Sequence, residues 1–145
     1  MPHRHEVFLK KNNITFINDS KATSFDSTKH ALKNNKNIFW IFGGLPKIRD
    51  NFNLLGVSSN IIKSFIIGKK TTYFKNQIGE KIKYKISFNL KNAIKDVFKE
   101  LCLMRHSKIT VLFSPASASY DQFNNFAERG NQFKKITKDY VKKFL

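Results

Sequence analysis

Asn37-Ile38-Phe39-Trp40-Ile41-Phe42-Gly43-Gly44 sets five large apolar residues in a row and closes them with two glycines. A strand made of these residues has no polar face. It needs cover on both sides, which is the condition of a central strand sandwiched by helices. Ile61–Ile67, closed by Gly68, and Ile109–Phe113, closed by Ser114-Pro115, have the same character.

The flanking sequence fills in the remaining elements. Glu6–Lys11 and Ile14–Asn18 read as two strands joined at Asn12-Asn13, a pair that tolerates the positive φ of a tight hairpin. Ser24 or Asp26 can cap a helix that runs to Asn34 or Asn35. Residues 45–53, with Pro46, form a loop, and a short helix precedes Ile61. Residues 69–79 are ambiguous with helix favoured, and residues 83–88 make a weak strand. Asn89 caps an amphipathic helix with Leu90, Ala93, Ile94, Val97, Phe98, Leu101 and Cys102 on one face. From about Asp121 the chain is helical, its apolar positions being Phe123, Phe126 and Ala127, then Phe133, Ile136, Tyr140, Val141 and Phe144. Strands alternating with helices after an opening hairpin predict a three-layer α/β/α, Rossmann-like domain. Its mostly parallel, six-stranded sheet has one antiparallel strand, contributed by the hairpin.

The chain of 145 residues fits a single domain spanning 1–145, with no internal repeat or linker. The sole cysteine, Cys102, permits no internal disulfide, as suits a reducing cytosol. The longest apolar run, residues 38–45, is far short of the ~20 residues of a spanning helix. The opening Met1-Pro2-His3-Arg4-His5-Glu6 is too polar for a signal peptide. A cytoplasmic protein without membrane insertion is expected. The net charge of +17 raises the alternative of a basic nucleic-acid-binding α/β module. Against it, Lys, Asn, Ile and Phe, all with A/T-rich codons, make up nearly half the chain, and arginine is scarce. The charge therefore reflects base composition at least as well as a polyanionic partner.

Several catalytic motifs are excluded by spacing. Gly68-Lys69-Lys70-Thr71 has Lys63 where a nucleoside-triphosphate loop requires its first glycine, and Lys70 where that loop requires Ser or Thr. Gly43-Gly44 lacks the dinucleotide fingerprint and reads as a tight strand exit. His3 and His5 lack the further ligands of a zinc site. Ser114 and Ser117 lie in no Gly-x-Ser-x-Gly elbow. What remains is three polar clusters at predicted strand ends: residues 18–24, 43–50 and 114–121. In open α/β sheets the functional groups gather at the carboxyl ends of strands, and helix N-termini bind anions. Two such turns, with Lys47 in the third, predict a carboxylate or phosphate site.

The blocks Pro2-His3-Arg4, Asn18-Asp19-Ser20-Lys21-Ala22-Thr23, Ser27-Thr28, Gly43-Gly44, Ser114-Pro115-Ala116-x-Ala118-Ser119-x-Asp121-Gln122-Phe123 and Asn125-Phe126-x-x-Arg129-Gly130-x-x-Phe133 resemble, in order, the C-terminal domain of the D-glutamate-adding Mur ligases. The likeness covers essentially the whole chain. It implies a three-domain enzyme of peptidoglycan synthesis whose N-terminal UDP-binding and central ATPase domains are absent from this chain, with Met1 an added start. It also accounts for the missing phosphate-binding loop.

In that family ATP, with Mg2+, phosphorylates the L-alanine carboxylate of UDP-N-acetylmuramoyl-L-alanine. The D-glutamate amine then attacks the acyl phosphate. By resemblance, Thr23 and Lys47 hold one D-glutamate carboxylate, and Ser119 with the backbone near Phe126 holds the other. Arg4 and Asp19 reach the nucleotide, and Lys21 and Arg4 lie beside the phosphates as catalytic groups. No metal ligand is implied in this chain, which on its own would bind neither cofactor, lack activity and be a monomer. The residues also admit plainer roles: Asp19 as a helix cap, Arg4 paired with Glu6 or Asp19, and Ser119 as the cap of a helix beginning near Asp121.

Overall fold

The computed structural model describes residues 1–47, 49–104, 107–120 and 122–145. Strands β1 (Glu6–Lys11) and β2 (Ile14–Asn18) form the hairpin, antiparallel. Asn12 and Asn13 have φ of 52° and 68°, the two positive values of a turn whose twist matches its strands. The four further strands are β3 (Ile38–Gly43), β4 (Ile61–Ile67), β5 (Tyr84–Phe88) and β6 (Ile109–Phe113). The sheet order is β1-β2-β6-β3-β4-β5, with every pair after the hairpin parallel.

Strand periodicity sorts the apolar side chains into two layers. Phe39 and Ile41 of β3 join Phe16, Phe65, Val111 and Phe113 on the face covered by α3 (Leu90–Leu101) and α4 (Phe126–Phe144). Ile38, Trp40 and Phe42 face the other way, under α1 (Phe25–Lys33) and α2 (Thr71–Ile78). All six residues of β3 are buried, as a run without a polar face requires. Trp40 stacks on Phe42 at 3.9 Å between ring centroids. Its indole N–H donates to the Ser114 carbonyl at 2.8 Å, so the buried polar atom is satisfied by the first residue beyond the neighbouring strand.

Local signals place the helix ends. Ser24 caps α1, accepting from the Ser27 N–H, and Asn89 caps α3, accepting from the Asn92 N–H. A three-residue helical turn over Ser58–Asn60 precedes β4. The last helix departs from expectation: α4 begins at Phe126, not near Asp121, which lies outside the described residues. Asn125 caps it at 2.8 Å from the Glu128 N–H, and the Glu128 carboxylate returns to the Asn124 N–H at 3.0 Å. This reciprocal arrangement is a capping box shifted by one residue, and it fixes the helix start. Phe123 therefore packs from a turn rather than from the helix. Among the described residues no helix is long and apolar enough to cross a membrane.

Candidate functional site

Because β2, β6 and β3 are neighbours in the sheet, the turns that follow them lie side by side at its carboxyl end. Hydrogen bonds join the turn after β6 to each of the other two, and the turn after β3 to the first residue of α1. Between the turns after β2 and β6, the Ser114 hydroxyl donates to Asp19 Oδ2 at 2.6 Å, and the Asp19 N–H donates to the Phe113 carbonyl at 2.7 Å. Between those after β6 and β3, Leu45 and Ala118 exchange backbone bonds at 3.0 and 3.1 Å, and the Gly43 N–H donates to the Pro115 carbonyl at 3.0 Å. The turn after β3 reaches the start of α1, where Asp50 Oδ2 accepts from the Phe25 N–H at 2.8 Å. Gly44, at φ +144°, makes this closeness possible: a Cβ there would lie 2.5 Å from the Ala118 carbonyl oxygen and 2.7 Å from Ser117 Oγ.

The N-terminal residues strap across the same rim. Asp19 Oδ1 accepts from the His5 N–H at 2.9 Å, and the His3 carbonyl accepts from the Lys21 N–H at 2.9 Å. Asn18 Nδ2 lies 2.9 Å from His3 Nδ1 and donates to Glu6 Oε1 at 3.0 Å. Glu6 also pairs with Lys134 of α4 at 3.1 Å. Burial raises the Asp19 carboxyl above the usual carboxylate range, with the Ser114 and His5 hydrogen bonds and the charges of His5 and Arg4 pulling it back. Burial lowers His3, helped by the Lys134 charge and opposed by Glu6.

The expected site residues divide between exposed and embedded. Thr23 and Lys47 are exposed on the turns after β2 and β3. Ser119 is buried in the turn after β6, where its carbonyl accepts from the Gln122 and Phe123 N–H groups. Phe126 opens α4, so its backbone N–H has no partner within the helix. Its carbonyl accepts from the Ser20 hydroxyl at 2.7 Å, while Lys21 Nζ sits 5.8 Å from its ring centroid. Arg4, Asp19 and Lys21 line one cleft of about 410 Å3 together with His5, Ser27 and His30.

The plainer roles resolve one by one. Asp19 does not cap α1; Ser24 does. Asn125, not Ser119, caps α4. Glu6 pairs with Lys134, and Arg4 contributes to Asp19 only through its charge. Both Asp19 oxygens accept hydrogen bonds within the chain, so this carboxylate joins the strap to the turns after β2 and β6 while also facing the cleft.

Sequence reading gave no role to three residues that the structure makes central to the rim. They are His3, Ser20 and Arg129, each buried and each bonded to a partner distant in sequence or to another turn. Only their place inside the quoted motif blocks signalled them.

Comparison with known proteins agrees with the residue blocks. No family model matches the chain. It is 40% identical over 133 residues to the UDP-N-acetylmuramoylalanine--D-glutamate ligase of Wolbachia sp. subsp. Brugia malayi, covering 92% of this chain and 26% of that protein. Identity is 36% over 136 residues to the ligase of the same name from Bradyrhizobium diazoefficiens, covering 94% of this chain and 29% of that one. It is 38% over 133 residues to that from Bartonella henselae, covering 92% and 28%. The chain thus spans between a quarter and a third of the length of these relatives, and the match falls in their C-terminal portion.

Proposed function

The chain belongs, as a C-terminal portion, to the family of UDP-N-acetylmuramoylalanine--D-glutamate ligases, and from that premise we propose that it is the domain that presents D-glutamate for amide-bond formation. The bonding of the turn after β6 to the turns after β2 and β3 carries this reading, because Thr23, Lys47 and Ser119 stand on these neighbouring segments of one rim. D-glutamate bears two carboxylates, and its amine must be unprotonated to attack. In this reading Thr23 and the Lys47 ammonium hold one carboxylate. Ser119 and the first-turn amides of α4 hold the other, since a helix N-terminus favours negative charge. Held at both ends, the amino acid keeps its amine pointed in one direction, which is the positional part of catalysis.

The cleft beside this cradle fits a nucleotide's phosphates in chemistry: it offers the Arg4 guanidinium, the Lys21 ammonium and the Ser27 hydroxyl. When bound in the whole ligase, ATP supplies the phosphoryl group that activates the acceptor carboxylate of UDP-N-acetylmuramoyl-L-alanine. Arg4 and Lys21 offset phosphate charge at the face of this domain. Among the described residues no three His, Cys, Asp or Glu side chains cluster as metal ligands would. Magnesium in this reading belongs with ATP in the remainder of the enzyme, which works as a cytoplasmic monomer.

The test joins this chain to the N-terminal two thirds of a relative and measures D-glutamate incorporation. Thr23→Ala and Ser119→Ala each remove a hydrogen bond to a charged group, worth about 1.5–3 kcal/mol. Each is expected to raise the KM for D-glutamate by about tenfold or more, and the pair by considerably more. Unchanged incorporation by the double variant rejects the site.

A further inference from the structure

We propose that Arg129 is a positioning residue for this site: its guanidinium fixes the turn that carries Thr23 against the turn that carries Ser119. The inference rests on the proposed D-glutamate cradle and adds a residue that contacts no substrate. Arg129 lies in the first turns of α4 and is 1% exposed. Its Nε donates to Ser20 Oγ at 2.9 Å and one terminal nitrogen to the Ser20 carbonyl at 2.6 Å. The other terminal nitrogen donates to the Ser117 carbonyl at 3.0 Å. The guanidinium carbon sits 6.0 Å from the Phe113 ring centroid, at the end of β6. Ser20, having accepted from Arg129, donates its own proton to the Phe126 carbonyl at 2.7 Å.

The fork therefore ties three segments: the turn after β2, the turn after β6, and the start of α4. Two of these acceptors, the Ser20 and Ser117 carbonyls, are backbone, so the fork holds the main chain of both turns. Ser20 stands three residues before Thr23, and Ser117 two residues before Ser119. These two turns belong to neither strand nor helix, and the guanidinium supplies the rigid spacing that a ladder would otherwise give. Only a planar group with donors on three nitrogens can do this. A lysine offers a single point of charge and cannot meet both turns with the same geometry. The nucleotide end of the first turn is held separately, by the Lys21 N–H on the His3 carbonyl and by the Asp19 bonds. Loosening the fork should accordingly disturb the D-glutamate cradle more than the phosphate cleft.

The experiment uses Arg129→Lys and, as a milder variant, Ser20→Ala, each in the joined ligase and in this chain alone. In the joined enzyme Arg129→Lys is expected to raise the KM for D-glutamate by about tenfold or more, since small misplacements cost that much, with the KM for ATP changed by less than about twofold. Ser20→Ala should show the same split at smaller size, and it decides the matter if Arg129→Lys does not fold. A variant whose thermal midpoint falls while the two KM values stay put, or rise in equal proportion, overturns the proposal.

The chain alone is read by amide NMR. Either substitution should shift the Thr23 and Ser119 signals together while those of Ala93 and Val97 in α3 stay in place. Unmoved Thr23 and Ser119 signals also overturn it. If the unsubstituted joined enzyme makes no product, the proposed function falls, and the amide signals still decide whether Arg129 couples the turns.

Discussion

Gly130 occupies the interior of α4, where glycine costs about 1 kcal/mol relative to alanine, and its neighbour explains it. A Cβ at this position would run into His3 Nδ1, so the glycine is what lets the N-terminal strap lie against the helix. His3 in turn accepts through Nδ1 from Asn18, whose carbonyl oxygen is committed to the Ser20 N–H. The imidazole must then be neutral with its proton on Nε2. Burial, then the Lys134 charge, lower its pKa below the ordinary 6.5 against the pull of Glu6. A group that binds its proton less readily when folded contributes stability that is complete above its unfolded pKa. That stability is lost as pH falls through the lower folded value. Glu6, also lowered, adds a loss of the same sign below 4.5, with burial opposed by bonds from the His3 N–H, Lys134 and Asn18. Asp19, raised by burial, acts in the opposite sense. His3→Gln separates the histidine from both. Urea midpoints are expected to fall more between pH 7.5 and 5.5 for the unsubstituted chain than for His3→Gln. Equal falls would assign the acid sensitivity elsewhere.

Among the elements, legibility followed periodicity. The hairpin, β3 and α3 could be read because their apolar residues repeat with period 2, without a break, or with period 3.6, and because Asn12-Asn13 and Asn89 mark their ends. Phe123 continues the apolar pattern upstream of α4, so that pattern alone sets the helix start too early. The Asn125–Glu128 spacing is the local signal that does place the start. The capping box makes a direct prediction. Asn125→Ala removes the side-chain acceptor for the Glu128 N–H and is expected to destabilise the domain by about 1 kcal/mol, read as a lower urea midpoint at unchanged slope. An unchanged midpoint would mean that tertiary packing alone sets the helix start. The rim could not be read in the same way. Ser20 and Phe126 bond across 106 positions, and Asp19 and Ser114 across 95. No local pattern reports partners that far apart, so Ser20, Ser114 and Arg129 read in sequence as ordinary turn and helix residues.

At the scale of the whole molecule the charge is distributed unevenly, and the distribution argues against nucleic acid as its cause. Glu6, Asp19, Asp26 and Asp50 lie at the carboxyl end of the sheet beside the proposed site. At the opposite end, a cleft of about 650 Å3 is lined by Lys10, Lys11, Lys36 and Lys108 among asparagines. That end also receives helix C-termini: Asn34, which closes α1, lines the same cleft, and Asn12 Nδ2 donates to the Leu145 carbonyl at 3.4 Å. Lysines there offset the negative ends of helix dipoles, and among the described residues no aromatic side chain lines the cleft to stack on a base. A net charge of +17 must still attract a polyanion at low ionic strength. The chain is therefore expected to bind duplex DNA weakly and without regard to sequence in ~20 mM salt, and to release it by ~0.15 M, because counterion release makes such affinity fall steeply with salt. Fluorescence anisotropy with two unrelated duplexes over that range measures it. Retention at ~0.15 M with a preference between the duplexes would make the basic end a recognition surface. Release of both together leaves its charge to the helix ends and to the base composition of the coding sequence.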